Sequence, residues 1–230
     1  MATYVIGDTH NSLQKLEEML KLISPAPQDH DILLGDLVDR GAEPMALIRD
    51  VMSRKNAVAL AGNHDLLARM FLKKLIYGGR KEDLDEKTIM GIFLWRQDGG
   101  ANTLADFHKL SIPERREIVD WLGELDLYRE VEAGGEVFVL VHAGFGQSLD
   151  PNRLPDDYTP EDYLFARPDY SKGYPNKYVV SGHTPTRLIP ENPSPDRIYR
   201  ANRHIAIDCG CVFGGKLGAI CLDTGEEFYV

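Results

Sequence analysis

Tyr4-Val5-Ile6-Gly7-Asp8-Thr9-His10 runs from three apolar residues straight into a glycine, an acid and a histidine. The device recurs twice. The apolar run 32–34 leads into Gly35-Asp36, and the run 57–60 leads into Gly62-Asn63-His64-Asp65. Helical spacing follows each time: Leu13, Leu16, Leu20 and Ile23 after the first, a helix from about residue 43 to 52 after the second, and residues 66–75 after the third. Alternating strand and helix predicts an α/β fold whose polar residues sit at the carboxyl ends of the strands. The adjoining glycines let the backbone turn sharply or approach a ligand closely.

Further along, residues from about 83 to 125 carry Ile89, Phe93, Leu94, Leu104, Ile118, Trp121, Leu122 and Leu125 at spacings near three and four, which predicts a helical flank. Strands are expected after it at 136–141, 178–180, 204–207, 217–222 and 227–230. Two proline-rich stretches, 150–176 and 185–195, read as long ordered loops. Tyr158, Tyr163, Tyr170 and Tyr174 in the first either line a substrate groove or simply pack the loop.

The 230 residues suit one domain, 1–230. With 43% hydrophobic and 27% charged residues, disordered, collagen-like and coiled-coil classes are excluded. The 36 acidic side chains outnumber the 26 basic ones, for a net charge of −10. That balance repels phosphate backbones and anionic lipid, so neither nucleic acid nor membrane is an expected partner. The longest apolar run, 137–141, is far short of the roughly 20 residues that cross a bilayer. Residues 1–10 lack the basic and apolar regions of a secretory signal. Cys209 and Cys211 are too close for an easy disulfide, which fits a reducing compartment, and the expected location is cytoplasmic.

Strand ends therefore deliver Asp8 and His10, Asp36 with Asp39, Asn63 with His64, then His142 and His183. Two aspartates, one asparagine and three histidines offer oxygen and imidazole ligands without a thiolate. This donor set suits two first-row divalent cations, with manganese the expectation and iron or zinc the alternatives. Cations about 3.5–4 Å apart need an anion between them. Asp36 is the candidate bridge: Asp8, His10 and Asp36 would hold one ion, and Asp36, Asn63, His142 and His183 the other.

The ordered set Gly7-Asp8-Thr9-His10, Gly35-Asp36-Leu37-Val38-Asp39-Arg40-Gly41, Gly62-Asn63-His64-Asp65, His142-Ala143-Gly144 and Gly182-His183-Thr184 resembles the signature of the phosphoprotein phosphatase family, serine/threonine type, among the calcineurin-like metallophosphoesterases. Any one residue alone fits a helix cap or a solvent-facing side chain, but five motifs in order make that reading weak. The resemblance implies two mixed β-sheets packed as a sandwich flanked by helices, with a hydroxide shared by two metals as the attacking group. It implies that His64, partnered by Asp39, is the general acid, and that Arg40 grips phosphate, with Arg167 a second candidate. The expected substrates are phosphoserine and phosphothreonine in phosphoproteins or phosphopeptides, or a small phosphorylated molecule.

Departures from that signature point elsewhere within the family. Asp65 stands where glutamate is usual, and Gly62-Asn63-His64-Asp65 with the tail Cys211-Val212-Phe213-Gly214-Gly215 resembles the diadenosine tetraphosphatase branch. Asp39 is mostly lacking in the symmetrical enzymes of that branch and kept in asymmetrical relatives. A dinucleoside polyphosphate hydrolase is thus the first alternative, a metal-binding scaffold without turnover the second, and a nuclease a distant further one. Arg187, Arg197, Arg200 and Arg203 flank the second proline-rich loop and read as scattered solvated charge, with an anion-docking rim the alternative, and Asp208 reads as shaping the sheet near the site rather than binding metal.

Overall fold

A computed structural model of the protein describes residues 1–78, 84–145, 150, 153 and 155–230. Strands β1 (Thr3–Ile6), β2 (His30–Leu33) and β3 (Ala57–Ala59) lie parallel, and β9 (Gly218–Cys221) and β10 (Glu227–Tyr229) extend the sheet antiparallel in the order β10-β9-β1-β2-β3. A second sheet runs β4-β5-β6-β8-β7, formed by β4 (Tyr128–Ala133), β5 (Glu136–Val141), β6 (Tyr178–Ser181), β7 (Tyr199–Ala201) and β8 (His204–Ala206). Its centre, β5-β6-β8, is parallel, and β4 and β7 close it antiparallel.

Apolar residues on the facing sides bind the two sheets: Val5, Ile32 and Leu34 from the first share one buried cluster with Leu140, Val180 and Ile205 from the second. Helices α1 (Leu13–Ile23) and α2 (Pro44–Ser53) cover the outer face of the first sheet through Leu16, Met19, Leu47 and Val51. The outer face of the second is covered by Phe145, Tyr158, Tyr163 and Tyr174. This is the expected sandwich of two mixed sheets with flanking helices.

Helix α3 (Asn63–Tyr77) begins three residues earlier than its apolar spacing predicts. The Gly62 amide donates to the Asp65 carboxylate at 2.9 Å, so the acid at the third position stabilises the first turn. Asn63 and His64 consequently ride on a helix rather than on a loop. The expected flank from residue 83 starts outside the described residues; within them it resolves into α4 (Glu86–Trp95), a wide turn Arg96–Gly100, α5 (Ala101–Phe107) and α6 (Ile112–Trp121). Strands β4 and β7 and a short helix α7 (Pro160–Leu164), capped by Thr159, are additions to the expected elements. Expected loop residues 151, 152 and 154 are outside the described set.

Candidate metal centre and active site

Residues that follow β1, β2, β5 and β6, with the first turn of α3, meet in one cleft to which both sheets contribute. His10, Asp36, Asp39, Arg40 and His183 all have positive φ, between 40° and 68°. That conformation is unfavourable for non-glycine residues, and its concentration at one spot marks a backbone held by its surroundings. Glycines make the close packing possible: a Cβ on Gly62 would lie 2.1 Å from Asp36 Oδ1, and one on Gly182 would lie 2.0 Å from Asp8 Oδ1.

Asp36 is central. Its Oδ2 is 3.4 Å from His10 Nε2, its Oδ1 is 3.4 Å from His142 Nε2, and Oδ1 also accepts from the His64 amide at 3.0 Å. Burial acts to raise its pKa, but the imidazoles of His142, His10, His64 and His183 prevail and hold this carboxyl well below the usual range. Asp36 belongs to two groups of potential ligand atoms, one with His10 and His64 and the other with His142 and His183. Asp8 accepts from the His183 amide at 2.9 and 3.2 Å; burial, Asp208 and Asp36 push its pKa well up.

The imidazoles are set as neutral ligands. Nδ1 of His10 lies 3.1 Å from the Val38 carbonyl and Nδ1 of His142 lies 2.8 Å from the Leu34 carbonyl, which places the ring proton on Nδ1 and the lone pair on Nε2. Burial pushes the pKa of His10 down to about 4 and that of His183 down to about 3, and lowers that of His142. His142 Nε2 then faces Asn63 Oδ1 at 3.0 Å and Asp36 Oδ1 at 3.4 Å. A lone pair and two acceptor oxygens converge there without a proton among them, and the carboxylates of Asp8, Asp36 and Asp208 are buried nearby. A divalent cation satisfies both features, so the residues fit the expected metals.

His64 belongs to a different unit. Its Nδ1 lies 2.7 Å from Asp39 Oδ2, and Asp39 also accepts from Trp95 Nε1 at 2.8 Å and from Thr103 Oγ1 at 2.6 Å. Burial lowers the His64 pKa, but the hydrogen bond to Asp39 and the charge of Asp36 outweigh it and leave the pKa raised. Trp95 and Thr103 come from the helical flank, which therefore supports the acid–imidazole pair as well as covering the core.

A cavity of about 490 Å³ opens above these groups and is lined by Asp36, Asn63, His64 and His183, with Arg40, Arg167 and Arg187 among the walls. Arg40 Nη1 donates to His10 Nε2 at 2.7 Å and Arg167 Nη1 to Thr184 Oγ1 at 3.0 Å. All ten expected site residues thus come together, either on the cavity wall or directly behind it.

One family model, described as calcineurin-like phosphoesterase, matches residues 1–187. The chain belongs to that family. A symmetrical bis(5'-nucleosyl)-tetraphosphatase of Coxiella burnetii is 27% identical, covering 99% of this chain and 91% of that protein. An asymmetrical bis(5'-nucleosyl)-tetraphosphatase of Halalkalibacterium halodurans is 29% identical, covering 94% and 88%. A crystal structure proposed to be a diadenosine tetraphosphatase shares the fold with a TM-score of 0.68 at 21% identity, covering 100% of this chain and 92% of that one. Both of these relatives are named tetraphosphatases, and the serine/threonine protein phosphatase type expected from the motifs is not specifically matched by them. As a calcineurin-like phosphoesterase, the protein is a metal-dependent phosphoesterase.

The motifs alone assign no site role to several residues of this calcineurin-like phosphoesterase. Arg187 and Phe213 line the cavity, as do Asp98 and Asp208. Asp98 lies on the wide turn after α4, its Oδ2 3.8 Å from His64 Nε2. Only an acid within a helical pattern hinted at it. Asp208 is buried near the candidate ligands Asp8 and Asp36, and burial, against the lowering Gly210 backbone hydrogen bond, leaves its pKa raised to about 6. Of the four tyrosines, Tyr158, Tyr163 and Tyr174 pack around Phe145, whereas Tyr170 lines a second cavity beside Arg167. Asp65, which distinguishes the third motif, accepts from the amides of Gly62, Leu37 and Val38 and ties the Asp36 loop to α3. Its role is structural. Among the described residues, no helix is long and apolar enough to cross a membrane.

Proposed function

We propose that the protein hydrolyses dinucleoside polyphosphates, with diadenosine tetraphosphate the expected substrate. The observation that carries this reading is the placement of Arg40, Arg167 and Arg187 around one cavity above the Asp36 cluster. Three guanidinium groups offer more charge-assisted donors than a single phosphoryl group requires, and they suit a chain of phosphates. Similarity to bis(5'-nucleosyl)-tetraphosphatases supports the same substrate class.

In this reading Asp8, His10 and Asp36 hold one divalent cation and Asp36, Asn63, His142 and His183 the other, manganese being the expected metal. When bound, such ions lower the pKa of water at the site and polarise phosphoryl oxygens. The chain's own residues do the rest. Arg40 and Arg167 orient the phosphoryl group for in-line attack. His64 holds a proton on Nε2 for the leaving oxygen, with Asp39 fixing Nδ1–H and favouring the imidazolium. A nucleotide is a good leaving group, so this proton matters less for an anhydride than for a serine ester. The free cysteines Cys209, Cys211 and Cys221 accord with a cytoplasmic location.

The phosphoprotein phosphatase reading keeps one observation in its favour: the His64–Asp39 pair is complete and supported by Trp95 and Thr103, as an alkoxide leaving group would require. Steady-state kinetics on diadenosine tetraphosphate and on phosphoserine and phosphothreonine peptides, after chelation and manganese add-back, separates the two. A higher kcat/KM on the dinucleotide is the expected result; a higher value on phosphopeptides replaces the proposal with the phosphatase. Two bound manganese ions with no turnover of either substrate, or of an aryl phosphate, would establish the scaffold.

A further inference from the structure

Two large apolar side chains stand on the rim of the charged cavity: Phe213 is 49% exposed and Leu188 60% exposed. Phosphoryl transfer accounts for the arginines beside them but gives no reason for a phenyl ring in that position. Phe213 is also held in place. Arg187 Nη1 donates to the Phe213 carbonyl at 3.2 Å, while its Nε is anchored on Asp196 Oδ1 at 2.5 Å. The guanidinium carbon of Arg40 lies 5.1 Å from the centre of the Phe213 ring. The ring closes a short turn, Cys211–Phe213, between Gly210 and Gly214, which have φ of 73° and 77°. Phe213 is therefore fixed in relation to Arg40, and Arg187 contributes to the cavity wall and to the position of the ring.

We infer that Phe213, together with Leu188, forms a stacking shelf for a nucleobase attached to the phosphate chain, and that Arg187 is the positioning residue of this shelf. The inference rests on the dinucleoside polyphosphate reading and names the residues that recognise the nucleoside. Any base presents a π face to an aromatic side chain, and an adjacent guanidinium strengthens such stacking. Phe213 shares its cavity with Arg40, Arg167 and Arg187, which matches a ligand that is planar at one end and polyanionic at the other.

Calorimetry on the manganese-loaded protein, with phosphate release monitored and kept negligible, tests this by comparing adenosine monophosphate with ribose 5-phosphate, which lacks the base. The wild-type protein is expected to bind the nucleotide about tenfold more tightly, as one stacked base would contribute. Phe213→Ala is expected to bring the ratio of the two affinities close to one, and Phe213→Tyr to preserve it. Equal binding of the two probes by the wild-type protein, or an unchanged ratio in Phe213→Ala, overturns the shelf. A wild-type protein with a Phe213-dependent preference that fails to cleave diadenosine tetraphosphate supports the shelf while refuting the proposed substrate.

Discussion

Nδ1 of His64 lies 2.7 Å from Oδ2 of Asp39, and neither side chain is more than 2% exposed. Every polar atom of the Asp39 carboxylate is engaged, by His64, Trp95 and Thr103, so its charge is buried but compensated. This arrangement fixes the tautomer of His64 and points Nε2 toward the cavity.

Replacing that charge with an isosteric amide tests its role. Asp39→Asn is expected to lower kcat on an alkyl phosphate by about 10²-fold, within the range for general acid catalysis. The loss should be several times smaller on diadenosine tetraphosphate, whose leaving group needs less protonation. Equal losses on both substrates would assign Asp39 to structure alone.

Asp36 stands in both groups of ligand atoms, so its loss should affect both metal positions. Chelation is expected to abolish hydrolysis by the wild-type protein and manganese to restore it. Asp36→Asn should bind fewer metal ions per chain than Asp8→Asn, as read by metal analysis after gel filtration. It should also lose the rise in Tm that metal gives a folded protein which binds it. Two ions retained by Asp36→Asn would remove the bridge.

Gly62 has no room for a side chain. A Cβ there would meet the Asp36 amide nitrogen at 2.2 Å, and the obstacle is backbone that cannot swing away. Gly62→Ala is expected to destabilise the protein by about 1–3 kcal/mol in urea denaturation, as overpacking does. Metal affinity should fall with it, because the displaced group is Asp36 itself.

His204 gives the fold an acid-sensitive element away from the metal-binding residues. It is 2% exposed on β8, and burial pushes its pKa down to about 4, against the smaller raising effects of a Lys172 backbone hydrogen bond and Asp169. The unfolded chain binds this proton near pH 6.5, whereas the folded chain resists it. Its contribution is therefore fully present above pH 6.5 and is lost as pH falls toward 4, up to about 3 kcal/mol. Urea midpoints of chelated wild-type and His204→Leu proteins at pH 7.5 and 5 measure this. A smaller acid-induced loss is expected for the variant, and parallel losses would exclude His204 as the source.

Much of the scaffold was readable in the chain because its strands carry their burial in their composition. β1, β2, β3 and β5 each carry a short apolar run that is followed within a few residues by Asp8, Asp36, Asn63 or His142, residue types that have no reason to be in a core. β4, Tyr-Arg-Glu-Val-Glu-Ala, was not readable in this way. It is an edge strand with mostly polar side chains, and its pairing with β5 from Tyr128↔Val141 to Ala133↔Glu136 makes it a strand. The candidate ligands were legible from residue type and from glycines that leave space for close approach. Trp95, Thr103 and Asp98 were not, because their relation to Asp39 and His64 exists only once the flank folds over the cleft. Arg187 looked like one of four loop arginines; what distinguishes it is the fixed Phe213 carbonyl it reaches.

Local sequence thus determined where strands end, which donors stand there and that a glycine precedes several of them, since these depend on neighbours along the chain. Only the tertiary structure decided that Asp36 faces both groups of imidazoles, that a tryptophan from a distant helix holds the Asp39 carboxylate, and that an arginine and a phenylalanine join the cavity. Those relations depend on separations of a few ångströms between segments far apart in the chain, and packing of the two sheets sets them.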